Sequence, residues 1–285
     1  MKISDTVHQL KVEFNISREI SRYVYVYIIE GREGNYLIDS GVKGCEKKIG
    51  DYIHKTGKWR QTINTLLLTH SHPDHMGAAK AIKGIYNCPV CSSEGERNWI
   101  EDIDLQFRER PIPNFYGLVE GPVQVDRILE HGAIAALEPG ITLEVINSSG
   151  HSKESLSFYY REEGILFMGD AVPVLGDIPI FEDSRSSLET LERLLALKGV
   201  TLYCPAWDKV YGGPEGMKVL QAAKQYMERL GTAIGECLYL FQNGESCDVV
   251  SRVCELTGMQ QWREHPLFRR SILSDLKRVE QEQRM

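Results

Sequence analysis

Missing from this 285-residue chain is any stretch approaching the roughly 18 consecutive apolar residues that a membrane span needs. Met1-Lys2-Ile3-Ser4-Asp5 also opens without an apolar run of signal-peptide length, so the expectation is a cytoplasmic protein with no membrane partner. Positive charge is in deficit. With 33 Lys and Arg against 40 Asp and Glu, the formal net charge is -7, which argues against a nucleic-acid backbone as main ligand, because phosphate binding needs clustered cations. Cysteine pairing is lacking as well: seven cysteines, an odd number scattered along the chain, read as reduced thiols. Cys88 and Cys91 have C-x-x-C spacing, but no second pair or nearby His accompanies them, and a half-buried strand is the expected setting. Disorder is excluded by composition, since 42% hydrophobic and 26% charged residues are ordinary globular values.

What the chain does contain is an abrupt change of chemistry in residues 66–77. Leu66, Leu67 and Leu68 suit a buried strand, and His70, His72, Asp74 and His75 follow at once. In extended backbone an i, i+2 pair points two imidazoles the same way, so His70 and His72 can share one cation. Pro73 then bends the chain, and Asp74 and His75 can turn toward a second. Three histidines and a carboxylate within six residues are a metal-site pattern rather than surface decoration.

The run Thr69-His70-Ser71-His72-Pro73-Asp74-His75 resembles the H-x-H-x-D-H signature of the metallo-β-lactamase superfamily. The resemblance covers residues 23–213. It implies an α/β fold, a four-layer αββα sandwich (metallo-β-lactamase fold) with a C-terminal helical extension, divided as a hydrolase domain over 1–213 and helices over 214–285. It also implies a one- or two-metal hydrolase site with ligands from later loops. Gly150-His151-Ser152 is similar to the family's G-H-[ST] element, and Gly169-Asp170 to its aspartate at the end of a hydrophobic strand. His70, His72 and His151 would then hold one ion, and Asp74, His75 and Asp170 the other. Zinc is expected, with iron or manganese compatible with the same donors. Asp39, in Ile38-Asp39-Ser40-Gly41, resembles an aspartate that supports the metal histidines from behind, although an Asp in a turn reads equally well.

The match breaks at Pro205-Ala206-Trp207-Asp208, where the family usually has P-G-H. Three explanations compete: Asp208 takes the ligand role, His265 folds back, or the second site is weak or empty.

Alternation at residues 22–29, a turn over 30–35 and a return over 36–41 predict a hairpin. Helices are expected over 45–56, stopping at Gly57, over 76–82 and over 186–197. Further strands are expected near 89–91, 141–146, 155–160, 165–168 and 201–204. Residues 92–132 are the least regular, with Pro111 and Pro113 breaking any long helix. Trp99, Phe115 and Tyr116 there, with Trp207, are candidates for a substrate wall; pinning the insertion onto the sandwich is the competing reading. The tail reads as helices over 217–230, 246–256 and 267–279, separated by Gly231, Gly244 and Gly258. In relatives such a tail packs over the active-site side or forms a homodimer contact, and both uses stay open.

The chemistry this implies is hydrolysis by a metal-bound hydroxide, with the pKa of water lowered toward about 7 and Asp74 as a catalytic orienter of the nucleophile. The expected partner is a small-molecule substrate carrying a carboxylic ester, thioester or lactone, by analogy with the glyoxalase II and quorum-signal lactonase branches. A phosphodiesterase is the alternative enzyme. A metal-binding member with weakened catalysis and a regulatory, partner-binding role is the alternative from another class.

Overall fold

The computed structural model describes residues 1–17, 19–56, 61–242 and 248–282. It divides into two compact units that interleave in sequence, the first made of Met1–Asn147, Glu154–Gly169 and Gly199–Val210, the second of Ser148–Lys153, Asp170–Lys198 and Tyr211–Met285. The chain passes between the units after Asn147, Lys153, Gly169, Lys198 and Val210.

In the first unit β1 (Val7–Asn15), β2 (Ser21–Glu30), β3 (Asn35–Ile38), β4 (Ile63–Leu67), β5 (Val90–Ser92) and β6 (Arg127–Ile128) form one sheet in sequential order. β1, β2 and β3 pair antiparallel, and β3 to β6 run parallel. The parallel pairs need crossovers. Helix α1 (Cys45–Thr56) lies between β3 and β4 in sequence, α2 (Pro73–Met76) and α3 (Ala79–Tyr86) between β4 and β5, and α4 (Glu94–Glu101), α5 (Ile103–Glu109) and α6 (Phe115–Leu118) between β5 and β6. The second sheet contributes β7 (Ile134–Glu138), β8 (Ile141–Asn147), β9 (Leu156–Tyr160), β10 (Ile165–Gly169) and β11 (Leu202–Pro205) to this unit, again with neighbours in sequence paired. These are the two mixed sheets with flanking helices that the motif implies.

Side-chain alternation explains why the end of β4 and the residue after it can be three leucines in a row. Leu66 and Leu68 enter a cluster with Val24, Val26, Ile28, Ile49, Ile53 and Ile82, whereas Leu67 enters the other with Tyr27, Ile29, Ile38, Val145, Phe158 and Phe167. Both faces are therefore buried, and each leucine contributes roughly 1.5–3 kcal/mol of burial. Cys88 and Cys91 are buried with this strand layer, and burial pushes each thiol up to about 11. Cys88 joins one core cluster and Cys91 the other.

The second unit holds α7 (Ser184–Ala196), β12 (Tyr211–Gly212), α8 (Gly213–Gln242), α9 (Val249–Thr257) and α10 (Pro266–Glu282). α8 runs straight through Gly231, where the sequence suggested a stop. A mid-helix glycine costs about 1 kcal/mol relative to Ala, which burial of Leu230, Ala233, Ile234, Cys237 and Leu238 on one face outweighs. α9 starts at Asp248, whose carboxylate accepts from the Ser251 N–H, and ends at Gly258 in the left-handed region (φ 75°). The stops expected at Gly57 and Gly244 and the helix start at Ser246 lie outside the described residues. Among the described residues no helix is long and apolar enough to cross a membrane.

Candidate metal centre

β4 delivers the chain to a histidine cluster in the first unit. Beside it, at the end of β3, Asp39 adopts a left-handed backbone (φ 64°) and is 2% exposed. Its Oδ1 accepts from the Thr69 N–H at 2.7 Å, and its Oδ2 from the Thr69 hydroxyl at 2.8 Å. The same Oδ2 lies 2.8 Å from His75 Nδ1. A carboxylate accepts only, so His75 carries its proton on Nδ1 and presents an Nε2 lone pair.

The tautomer of His70 follows from the same network. Thr69 gives its one hydroxyl proton to Asp39, so its oxygen accepts from His70 Nδ1, 3.0 Å away. That leaves a lone pair on His70 Nε2, 3.0 Å from His72 Nδ1. Two nitrogens bound tetrahedrally to zinc at 2.0–2.1 Å would be about 3.3 Å apart, so this pair fits a shared cation. His72 itself begins α2, with extended backbone and Pro73 at the first helical position. Asp74 and His75 follow in that single turn, Asp74 Oδ2 lying 3.8 Å from His75 Nε2. The rings are close: centroids of His70 and His72 are 4.5 Å apart, those of His70 and His75 4.0 Å.

Gly77 lets this turn approach the rest of the unit. A Cβ there would lie 2.2 Å from the Leu118 carbonyl oxygen and 2.7 Å from Val42 Cα.

His151 and Asp170 belong to the second unit, and there they face each other, Nε2 to Oδ2 at 3.4 Å. His151 Nδ1 donates to the Ile180 carbonyl at 3.0 Å, so again Nε2 keeps the lone pair. Gly150 (φ 126°) is required here for more than approach to an ion, because a Cβ would strike the Ser187 backbone at 2.4 Å. Its carbonyl accepts from Glu182 and Asp183, which ties the His151 loop to residues 180–184. α10 holds that segment in turn: Ser271 Oγ accepts from the Phe181 N–H at 3.0 Å, and Asp275 Oδ1 from the Ser184 N–H at 2.9 Å.

Other expected site residues are placed differently. Phe115 is 2% exposed and belongs to the first unit's core. It anchors an aromatic trio with Phe107 and Tyr116, and the half-exposed Tyr116 donates to Asp104. Trp99 is half-buried and donates through Nε1 to Glu109 at 2.7 Å. Trp207 packs on the same core, 5.8 Å from the Tyr23 ring. Asp208 is exposed, in a left-handed backbone position (φ 70°), and its N–H donates to the Tyr23 hydroxyl. His265 stands at the start of α10 and accepts from the Leu267 N–H, which uses its Nδ1 in helix capping rather than folding back. Two residues that no motif flagged, Glu96 and Gln106, hold Ser71 between the paired histidines.

Several known proteins are similar to this chain. A probable metallo-hydrolase of Bacillus subtilis, YqgX, is 29% identical over 175 residues, covering 58% of this chain and 76% of its own. A hydroxyacylglutathione hydrolase of Bartonella tribocorum is 30% identical over 155 residues, 53% of this chain and 52% of that protein. The chain thus spans about half the length of the hydroxyacylglutathione hydrolases it matches. The crystal structure of a metallo-beta-lactamase family protein from Thermus thermophilus superposes with a TM-score of 0.72 at 19% identity, covering 98% of this chain and 94% of that one, which shows the fold. A family model for the metallo-beta-lactamase superfamily matches residues 21–207, from β2 through the histidine cluster to the loop after β11, and the chain belongs to that superfamily.

Proposed function

We propose that this protein is a metal-dependent hydrolase of small-molecule thioesters or related carboxylic esters. The observation that carries the proposal is the pair of nitrogens, His70 Nε2 and His72 Nδ1, buried 3.0 Å apart with the His70 tautomer fixed by Thr69 and Asp39. In this reading His70, His72 and His151 hold one ion, and Asp74, His75 and Asp170 hold a second. Zinc is the metal proposed, because four histidines and two carboxylates suit its borderline-soft character. Asp208 is left out, being exposed and tied by its backbone to Tyr23.

A metal held by these residues would supply a water of lowered pKa and a Lewis acid for the substrate carbonyl. The chain's residues supply the order around that chemistry. Asp39 keeps His75 and, through Thr69, His70 in single tautomers. Asp74, 17% exposed at the edge of the cluster, orients the attacking water by accepting its hydrogen bond. No Ser or Cys nucleophile is required, and the buried Cys91 and Cys204 thiols are held protonated by burial.

Thioesters are favoured over other bonds because several relatives near 30% identity are hydroxyacylglutathione hydrolases, which cleave a thioester. The acidic net charge and reduced thiols support a small metabolite in the cytoplasm as the setting. Metal-loaded protein assayed on a panel of esters, thioesters, lactones and phosphodiesters tests the reading. Thioester or ester turnover that is lost in His70→Ala and on chelation supports it; turnover confined to phosphodiesters, or none from a fully metallated protein, defeats it.

A further inference from the structure

We propose that Glu96 is a positioning residue for the metal ligands His70 and His72, acting through Ser71 between them; this rests on the metal-site reading above. Glu96 is 1% exposed, in the first turn of α4. A buried carboxylate is retained only where hydrogen bonds compensate its lost hydration. Here three donors converge on it. Oε2 accepts from the Ser71 N–H at 3.0 Å and from the Ser71 hydroxyl, and Oε1 accepts from the Glu154 N–H at 2.9 Å.

The other side of Ser71 is held as firmly. Gln106, fully buried in α5, donates through Nε2 to the Ser71 carbonyl at 2.6 Å. N–H, carbonyl and hydroxyl of one residue are thus fixed by two helices of the irregular segment over 92–132. In extended backbone the Ser71 side chain points away from those of its neighbours. Clamping Ser71 therefore fixes the two peptide planes that set where the His70 and His72 rings point. The Glu154 contact fastens to the same carboxylate the chain that follows His151 by three residues. Glutamine cannot substitute fully, since it offers one acceptor oxygen where two are used.

The test compares wild type, Glu96→Gln, Glu96→Ala and a control, Asp126→Asn, which disturbs the Val90 N–H and Lys83 contacts elsewhere in the same unit. The readouts are zinc affinity of the folded protein by chelator competition and the visible absorption of the cobalt-substituted protein. Both Glu96 variants are expected to lose at least about 10-fold in zinc affinity, the scale of ligand-orienting contacts, and to shift the cobalt bands. Asp126→Asn should lower thermal stability with affinity and bands unchanged. Glu96 variants that bind zinc as wild type does and keep its cobalt spectrum overturn the inference while leaving the hydrolase reading intact. A wild-type protein that binds neither metal overturns both. Should Glu96→Ala not fold, Ser71→Ala, which removes only the hydroxyl contact, is expected to shift the cobalt bands in the same direction; unshifted bands count against the proposal.

Discussion

The Asp39 carboxylate lies 2.8 Å from His75 Nδ1 while holding both donors of Thr69, so one buried side chain sets the tautomers of two candidate ligands. Replacing it removes the acceptor from all three groups at once. Asp39→Ala is expected to weaken metal binding by about 10- to 100-fold, as loss of such supporting contacts does. It should also destabilise the metal-free protein by at least about 1–3 kcal/mol, the scale of one buried donor left unsatisfied. Metal per chain after dialysis against a weak chelator, with a urea titration of the apoprotein, checks both. Full metal retention would remove Asp39 from the site.

Gly77 predicts a steric effect rather than a chemical one. Its Cβ position lies 2.2 Å from the Leu118 carbonyl and 2.5 Å from that of Pro73, and neither is the far end of a flexible side chain. Gly77→Ala must displace the turn bearing Asp74 and His75, so a loss of about 1–3 kcal/mol or more is expected. A urea midpoint unchanged from wild type would contradict so close an approach.

How much of this was legible in the sequence depends on how far apart the cooperating residues stand. His70, His72, Asp74 and His75 lie within six residues, and strand and turn geometry alone bring them together. β4 was legible for the same reason, since period-two alternation sends Leu66 and Leu68 to one core and Leu67 to the other. Glu96 and Gln106 were not, because they reach Ser71 across 25 and 35 residues through a segment whose path no local pattern dictates. The burial of Phe115 was hidden for a related reason: an aromatic in an irregular stretch does not reveal which way it faces. The run of α8 through Gly231 shows packing overriding propensity.

Asp275 predicts a pH effect. Burial raises its carboxyl pKa above the ordinary 3.8, with Arg278 and the Ser184 N–H opposing and Asp183 adding to the rise. A carboxyl whose folded pKa is raised favours the folded state below pH 3.8, and that contribution is lost as pH climbs through the folded value. Asp275→Asn keeps an oxygen for the Ser184 N–H and removes the charge. Its stability relative to wild type is therefore expected to rise with pH from about 4 upward, and a difference flat across that range would contradict the assignment. Asp275→Ala loses the contact as well, loosens the 180–184 segment behind His151, and should lower zinc affinity where Asp275→Asn does not.

Metal removal should be visible in stability without any substrate. A ligand that binds only the folded state at about 100 times its dissociation constant stabilises by about 2.7 kcal/mol. For a domain of about 150–250 residues, each kcal/mol moves the melting temperature by roughly 2–4 °C. Adding zinc to the chelated protein at that excess is therefore expected to raise Tm by roughly 5–11 °C. His72→Ala removes one nitrogen of the 3.0 Å pair and leaves His75, Asp39 and Thr69 in place, so it should abolish most of that rise while altering the metal-free Tm far less. A zinc-dependent rise that persists undiminished in His72→Ala would place the tight-binding ion elsewhere than on His70 and His72.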